Sequence, residues 1–439
     1  MTVKSTSRII SLDKKYMNAS LERNNSETMV TADGVPLKVS LSRAKRKAQI
    51  RALLLVTPLF LFILVTFFIP IASMLLRSVD NEVVAETLNR TVPMLQGWDQ
   101  TGDAIPDETV FVALHKDFVD GYRDKTIGSP GRRLNYEKPG FSSLFRKTAR
   151  NSKKFEPPYQ AAFIKADKKW GDINYWRVLK RESGPSTDSY YMTALDYEYT
   201  DEGERIAKAD DQSIYVGLFG RTFWISFVIT SICLVLAFPI SYLLSILPAK
   251  SSNLLMILVL LPFWTSLLVR TSAWIALLQQ QGVINDILVW AGVLTDDNRL
   301  AMIHNQTGTI IAMVHVLLPF MVLPLYSVMK TIPPTYMRAA RSLGANPFTA
   351  FVRVYLPGTV PGIGAGSILV FIISIGYYIT PALVGGQSGT LISNFIAYHL
   401  ESSLNWGLAA ALGAILLSAV FALYILYDKI VGIDNMKLG

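Results

Sequence analysis

Long apolar stretches recur along the chain, and polar segments separate them. A helix that crosses the hydrocarbon of a bilayer needs about 20 predominantly apolar residues. Six stretches approach that length and predict six spans: Ala52–Leu76, Thr222–Leu247, Leu254–Leu278, Gly308–Met329, Gly358–Val384 and Gly407–Tyr427. We therefore expect an all-α polytopic membrane protein with six transmembrane helices.

The composition agrees with a membrane protein. Of 439 residues, 51% are hydrophobic and 17% are charged, which is fewer charges than the roughly 25% of soluble domains. The single cysteine, Cys233, lies in the second apolar stretch. An internal disulfide is therefore excluded, and Cys233 is interpreted as a small buried hydrophobic residue.

The distribution of basic residues predicts the orientation. Five of them precede or open the first apolar stretch: Arg43, Lys45, Arg46, Lys47 and Arg51. Because such residues stay on the cytoplasmic side of a span, the N-terminus is predicted to be cytoplasmic. An even number of spans returns the C-terminus to the same side. The first stretch is too long for a cleaved signal peptide, so residues 51–76 are expected to form the first transmembrane helix.

Two polar segments flank this first span. Residues 1–50 are polar and basic without a sustained period, which predicts a disordered cytoplasmic tail. Residues 77–221 hold 22 basic and 23 acidic residues, with an amphipathic pattern at Asp107–Tyr122. They predict a large, mainly helical extracytoplasmic insert. We interpret it either as a docking surface for an external solute-binding protein or as a structural cap.

Residues 222–439 are predicted to form a five-helix core, and its loop at 330–357 is patterned like two short helices joined by a turn. Residues 337–343 favour a helix, Gly344 suits the position just after a helix end, and Asn346-Pro347 suits a second helix start. The loop carries basic residues and no acidic residue, which agrees with a cytoplasmic location.

The first helix of this loop is suited to contact another protein. Ala339 and Ala340 leave one side nearly flat, so a partner's groove can approach the backbone closely. Arg338, Arg341 and Arg353 can meet acidic groups at the rim of that contact. The alternative is an amphipathic helix on the membrane surface, which would favour large apolar residues at the alanine positions.

At this loop the sequence resembles the type I permeases of bacterial ABC importers. Their loop reads Glu-Ala-Ala, three residues, Gly, nine residues, Ile, one residue, Leu-Pro. The matching positions here are Ala339, Ala340, Gly344, Val354, Leu356 and Pro357. Arg338 stands where the family has glutamate, and Val354 where it has isoleucine.

The resemblance implies a MetI-like fold and a machine of several subunits. In that family the short loop helix docks in a cleft of a nucleotide-binding subunit, and two such subunits bind ATP and Mg. The further partners implied are a second permease subunit, an extracytoplasmic solute-binding protein and membrane lipid. No catalytic residue, metal or cofactor is expected on this chain, and the location implied is the bacterial inner membrane.

Residues 261–274 look similar to the spermidine/putrescine-type permeases. That likeness implies a polyamine or related small nitrogenous solute, and a second permease that is a different, homologous chain. No acidic residue lies in the predicted spans, although a polyamine would favour one. An amino-acid-like, opine-like or anionic solute is therefore kept as the alternative.

Arg270 is the only charged residue within the predicted spans. A charge deep in a membrane helix is by default a functional hypothesis. It is interpreted as a residue of the substrate pathway or gate, with helix bracing or snorkelling as the alternative. Trp264, Thr265 and Trp274 lie nearby in sequence and are candidates to line the same pathway.

The fifth predicted span carries two further features. Gly362 and Gly366 have the spacing that favours close packing of two helices. Tyr377 and Tyr378 follow, and both are candidate substrate contacts. A packing role for these tyrosines is the alternative.

Two other classes of membrane protein fit the sequence less well. An ion-coupled secondary transporter usually has acidic residues or a histidine relay in its spans, and here only His315 is available. A membrane enzyme would need a catalytic or metal-binding motif, and no Walker loop, Gly-x-Ser-x-Gly or His-Glu-x-x-His occurs. A nucleic-acid partner is not expected.

Overall fold

The structure is a computed structural model that describes residues 37–431, with side chains over residues 41–429. The described residues divide into two compact units, 37–73 and 74–431. The described chain begins with helix α1 (Leu37–Ile63), a π-helical turn (Leu64–Phe68) and helix α2 (Ile69–Leu76). Together these three segments contain the first predicted span.

Helix α1 begins well before the apolar stretch that predicts the first span. The prediction of disorder is therefore wrong for residues 37–50, which are helical. The rest of that predicted tail, residues 1–36, lies outside the described residues. Residues 43–51 are mostly Arg, Lys, Ala and Gln, which favour a helix by themselves, so the helix extends from the apolar run into the basic segment.

The insert consists of short helices and one small hairpin. The helices are α3 (Glu82–Thr87), α4 (Thr91–Gln96), α5 (Glu108–Arg123), α6 (Gly128–Asn135), α7 (Phe141–Asn151), α8 (Tyr159–Ala166), α9 (Ile173–Arg181) and α10 (Ser189–Ala194), with 3₁₀ turns at Ser152–Lys154 and Lys168–Gly171. Strands β1 (Tyr197–Tyr199) and β2 (Arg205–Ala207) pair antiparallel. The predicted amphipathic helix at 107–122 is confirmed as α5.

Aromatic side chains form the core of the insert. Phe163 and Trp170 lie edge to face at 5.4 Å between ring centroids, and Phe111 meets Trp176 at 5.0 Å. All four are buried. The Trp170 indole N–H donates to Thr148 Oγ1 over 2.8 Å. Such pairs are worth about 0.5–1.5 kcal/mol beyond their buried area, so the insert has a hydrophobic core of its own.

A buried ion-pair network fixes the helices of the insert to one another. The Arg133 guanidinium donates to Glu137 over 2.6 Å, to Glu182 over 2.7 Å and to the Asn81 side-chain oxygen over 2.8 Å. Burial and the neighbouring Glu182 raise the pKa of Glu137, while Arg133 and Arg181 act in the opposite direction. Removing one partner of such a network leaves a buried charge without compensation.

The remaining helices form the membrane core. They are α11 (Tyr215–Ile246), α12 (Ala249–Leu260), α13 (Leu267–Leu278), α14 (Val283–Trp290), α15 (Gln306–Thr331), α16 (Pro334–Ser342), α17 (Pro347–Ala350), α18 (Leu356–Gly376), α19 (Ile379–Val384), α20 (Gly386–Gly389), α21 (Ile392–Glu401) and α22 (Trp406–Val431). Within residues 37–431, five helices are long and apolar enough to cross a membrane, and six if one bent pair counts as a span. Helices α11, α15 and α22 confirm the second, fourth and sixth predicted spans.

The third predicted span is not one continuous helix. A 3₁₀ turn at Leu261–Trp264 ends α12, Thr265 and Ser266 are extended, and the axis turns by 97° before α13. Pro262 lies in the turn and has no backbone N–H to donate. The prediction of a single helix over Leu254–Leu278 is therefore wrong.

The fifth predicted span ends earlier than expected. Helix α18 stops at Gly376, Tyr377 is extended, and the short helices α19 and α20 follow. At its other end α17 continues into α18 through a π-helical turn, Phe351–Tyr355. Pro357 lacks the N–H of a regular helical turn, and a π turn just before it accommodates that gap.

The insert contacts the N-terminal end of α22 and the residues just before it. The Tyr190 ring lies against Gly407, where an added Cβ would come within 2.3 Å of it. The Arg77 guanidinium stacks over Trp406 at 4.6 Å, and the Tyr136 hydroxyl donates to the Ser403 carbonyl over 3.1 Å. Burial raises the pKa of Tyr190 to about 12. The insert and the membrane core are therefore packed together through these side chains.

Helices α11, α15 and α18 form the centre of the membrane core. Gly362 and Gly366 let α18 approach α15 closely. A Cβ added at Gly362 would lie 3.0 Å from Val328 Cβ and 3.2 Å from Leu325 Cα. The predicted packing role of these two glycines is confirmed, because backbone atoms of α15 occupy the space that a side chain would need.

We predict that Gly362→Ala destabilises the protein, whereas Gly413→Ala in α22 does not. Both changes gain helix propensity, but a Cβ at Gly413 meets nothing within 4 Å. Overpacking at Gly362 should cost about 1–3 kcal/mol. Thermal unfolding of the two purified variants in detergent measures the difference. Equal unfolding temperatures would contradict the close approach of α18 to α15.

Candidate functional site

The loop between α15 and α18 contains a compact helical knob, residues 334–348. Helix α16 has Pro334 at its first turn, where a missing N–H has no cost. Gly344 follows its end with φ of +89°. Its N–H donates to the Arg341 carbonyl over 3.0 Å, and the Ala345 N–H to the Ala340 carbonyl over 3.1 Å. This is a Schellman motif, and it confirms Gly344 as the residue that ends the helix.

The knob is connected to the membrane core by a capped helix and by packed aromatic rings. The Asn346 side chain accepts from the Thr349 N–H over 2.7 Å and so caps α17, which continues into the fifth span. Phe351 stacks on Tyr355 with centroids 5.5 Å apart, and Tyr242 of α11 meets both rings edge to face. The knob is therefore joined to α18 through the chain, and the ring contacts at its base tie that connection to α11.

The predicted contact residues divide between the knob surface and its base. Arg338, Ala339, Arg341 and Gly344 are exposed, and Ala340 is half-buried. At the base, Val354 and Leu356 are half-buried and Pro357 is exposed. In the part of the chain that the structure describes, the guanidinium groups of Arg338, Arg341 and Arg353 have no hydrogen-bond or ion-pair partner.

The sequence interpretation missed the apolar part of the knob surface. Leu343 is 89% exposed, Phe348 76% and Tyr336 57%. The pattern assigned Leu343 only a helix-forming role. No local signal marks its exposure, because exposure depends on which other residues pack against it. Large exposed apolar side chains beside cationic ones are typical of protein interfaces.

Arg270 lies at the break between α12 and α13. Its guanidinium donates to the Pro262 carbonyl, to the Thr265 carbonyl over 2.9 Å and to Thr265 Oγ1 over 3.2 Å. These carbonyls belong to the interrupted segment of the third span. The structure therefore joins Arg270 to Thr265 and gives the arginine side chain a role in satisfying the broken backbone.

The aromatic candidates near Arg270 have different surroundings. The Trp274 indole N–H donates to His315 Nδ1 of α15 over 3.1 Å, whereas Trp264 is 70% exposed. A mostly apolar cavity of about 420 Å³ lies beside the break, and its lining includes Pro262, His315 and Leu318. This cavity is lined by neighbours of the predicted residues rather than by the residues themselves.

Tyr377 and Tyr378 lie at a second break, where α18 ends. Their carbonyls accept from Ser393 Oγ over 2.8 Å and from Asn394 Nδ2 over 2.7 Å. Tyr378 is 40% exposed and Tyr377 is half-buried. No hydrogen bond or ring contact among residues 37–431 joins this pair to Arg270. Both groups of predicted pathway residues nevertheless lie where a spanning helix is interrupted.

Metal chemistry has no site in the described part of the chain. Among the described residues, no group of three or more His, Cys, Asp or Glu side chains is arranged to hold a metal ion.

Comparisons with known proteins identify the family. A family model described as "Binding-protein-dependent transport system inner membrane component" matches residues 213–431. The spermidine/putrescine transport system permease protein PotB of Escherichia coli (strain K12) is 36% identical over 211 residues, covering 48% of this chain and 76% of that protein. PotB of Salmonella typhimurium (strain SL1344) is 34% identical over 212 residues, covering 48% and 73%.

More distant proteins also match. The molybdenum transport system permease protein ModB of Mycobacterium bovis is 28% identical over 198 residues, covering 45% of this chain and 72% of that protein. A bacterial alginate ABC transporter, crystallised in complex with its alginate-bound periplasmic protein, covers 52% of this chain and 81% of the matched chain at 16% identity, with a TM-score of 0.42. On the family match and the PotB relatives, the chain belongs to the family of binding-protein-dependent transport system inner membrane components, and it is a permease subunit of an ABC importer rather than an enzyme.

Proposed function

We propose that the knob at 334–348 is the surface through which this permease is driven by a separate ATPase. The observation that supports this most strongly is an exposed set of side chains on a segment packed against two spans. The set consists of Leu343, Phe348 and arginines that have no partner among the described residues. Leu343 and Phe348 enter apolar pockets of the ATPase. Arg338, in place of the family glutamate, meets an acidic group there.

The complete transporter contains further chains in this proposal. Two ATP-binding subunits hold ATP and Mg, and their closure moves the knobs of two permeases. The second permease is a homologous, different chain, and an extracytoplasmic solute-binding protein delivers the cargo. The protein lies in the bacterial inner membrane with both termini and the 330–357 loop in the cytoplasm, and the insert lies outside.

The substrate we propose is a polyamine or a related small nitrogenous solute. The relatives PotB at 34% and 36% identity are named as spermidine/putrescine permeases, which favours this class. The more distant relative ModB is named for molybdenum transport, so family membership alone does not select the cargo. An amino-acid-like, opine-like or anionic solute is the competing class.

The two helix breaks form this chain's part of the pathway in our proposal. Irregular backbone at membrane depth is tolerated where it is buried in protein or lines a cavity, and broken helices carry the substrate site in many transporters. Trp264, Thr265, Arg270 and Trp274 belong to the first break. The second break contributes Tyr377 and Tyr378.

Loss of the apolar knob contact should uncouple transport. We predict that Leu343→Asp lowers ATP-driven uptake by at least about 10-fold, as loss of an interface anchor does, and reduces co-purification of the ATPase. Arg338→Glu should weaken the same contact. Thr331→Ala, an exposed change at the end of α15, is the control. Normal uptake with normal co-purification in Leu343→Asp would refute the docking role.

Arg270 should affect stability and transport together. Arg270→Ala removes the donor of the Thr265 carbonyl, at about 1–3 kcal/mol, and leaves the Pro262 carbonyl with only the Thr265 hydroxyl as donor, over 3.0 Å. We therefore predict a lower unfolding temperature and lower spermidine uptake. Arg270→Lys should recover part of both. Thermal unfolding and the KM for uptake separate the two roles. A raised KM at an unchanged unfolding temperature would mean that Arg270 contacts substrate and does not hold the break.

A further inference from the structure

One face of the insert is strongly basic. Six exposed cations lie on α7, on the 3₁₀ turn after it and around the end of α8. We call them the basic patch: Arg146, Arg150, Lys153, Lys154, Lys165 and Lys168. Between residues 146 and 169 the chain holds eight basic residues and two acidic ones. The insert as a whole is balanced, at 22 basic and 23 acidic residues over 77–221, so the acidic groups are concentrated elsewhere.

The two parts of the basic patch are held next to each other. Lys147 of α7 forms an ion pair with Asp167 over 3.3 Å, and the Trp170 indole donates to Thr148. Beneath the patch, Phe145 and Ala149 of α7 are buried. Arg146 and Arg150 therefore lie on the exposed side of α7, and α7 contacts the segment that carries Lys165 and Lys168 through the Lys147–Asp167 ion pair.

The charges of the basic patch are not neutralised within the protein. None of its six side chains has an ion pair or hydrogen bond to another of the residues 41–429. Of the two acidic residues between 146 and 169, Asp167 forms its ion pair with Lys147, and Glu156 has no partner among the described residues. Surfaces that only need solubility usually mix both signs, whereas a large field of one sign steers an oppositely charged partner.

The basic patch is separate from the contacts that fix the insert on the membrane core. Those contacts run through Arg77, Tyr136 and Tyr190 to the start of α22. None of these residues belongs to the patch. Its cations therefore remain available to a further molecule while the insert is packed on the core.

We propose that the basic patch is an electrostatic docking surface for an acidic face of the extracytoplasmic solute-binding protein. This inference rests on the proposed function, in which the insert lies outside. Complementary charge mainly raises the rate of productive encounter. The basic patch therefore lowers the concentration of binding protein needed for half-maximal transport. It does not change the maximal rate, which the membrane core and the ATPase determine.

The test uses the complete transporter reconstituted in nanodiscs, with ATP hydrolysis measured against binding-protein concentration. We expect Arg150→Glu and Lys154→Glu each to raise the half-maximal concentration roughly 3- to 10-fold at about 0.05 M salt, with an unchanged maximal rate. The effect should fall towards none at about 0.5 M salt, because the screening length shortens. Lys125→Glu changes the same charge at an exposed residue outside the patch and should have little effect.

Each alternative outcome is distinguishable. An unchanged half-maximal concentration in both patch variants overturns the docking surface and leaves the transporter assignment intact. A second outcome also overturns the docking surface: the patch variants no longer bind phosphatidylglycerol vesicles, but the binding protein stimulates their ATP hydrolysis normally. That result would assign the patch to the membrane. If the unaltered complex is not stimulated by any solute-binding protein, the proposed function itself fails.

Discussion

A backbone carbonyl freed by a break in a membrane helix must find a donor inside the protein, because the hydrocarbon of a bilayer offers none. This constraint organises the core around its two interruptions. Arg270 supplies donors for Pro262 and Thr265 at the first. Ser393 supplies one for Tyr377 at the second, and Asn394 adds a second donor to the Tyr378 carbonyl, which also accepts from the Ala382 N–H. The side chains that satisfy the breaks are thereby fixed beside irregular backbone, which is the environment that a transport pathway requires.

The same core connects the breaks to the knob at 334–348. Helix α18 runs from the π turn beneath the knob to the second break, and its glycines hold it against α15. His315 of α15 accepts a hydrogen bond from Trp274 of α13, near the first break. The knob is therefore joined to both interruptions through packed helices, as the proposed coupling to an ATPase needs.

The sequence predicted those features that depend on local pattern. The helix end at Gly344 follows from the conformational freedom of glycine, and the positions of α11, α15 and α22 follow from runs of apolar residues. It did not predict the 97° turn at residues 261–266, because hydropathy is the same for a continuous and a broken apolar segment. Pro262 was the available signal. The donors for the freed carbonyls depend on tertiary contacts, which the local pattern does not contain. The exposure of Leu343 likewise depends on the absence of a packing neighbour, which the pattern does not show.

We propose, as the central claim, that the knob at 334–348 binds an ATP-binding subunit in the cytoplasm. The chain's single native thiol, Cys233, is buried, so Leu343→Cys can carry a benzophenone probe in the assembled transporter, with Lys125→Cys on the insert as the matched control. Our account predicts that irradiation cross-links position 343 to the ATP-binding subunit and position 125 to no such subunit. Cross-linking of position 343 to the solute-binding protein, or to lipid alone, would contradict it.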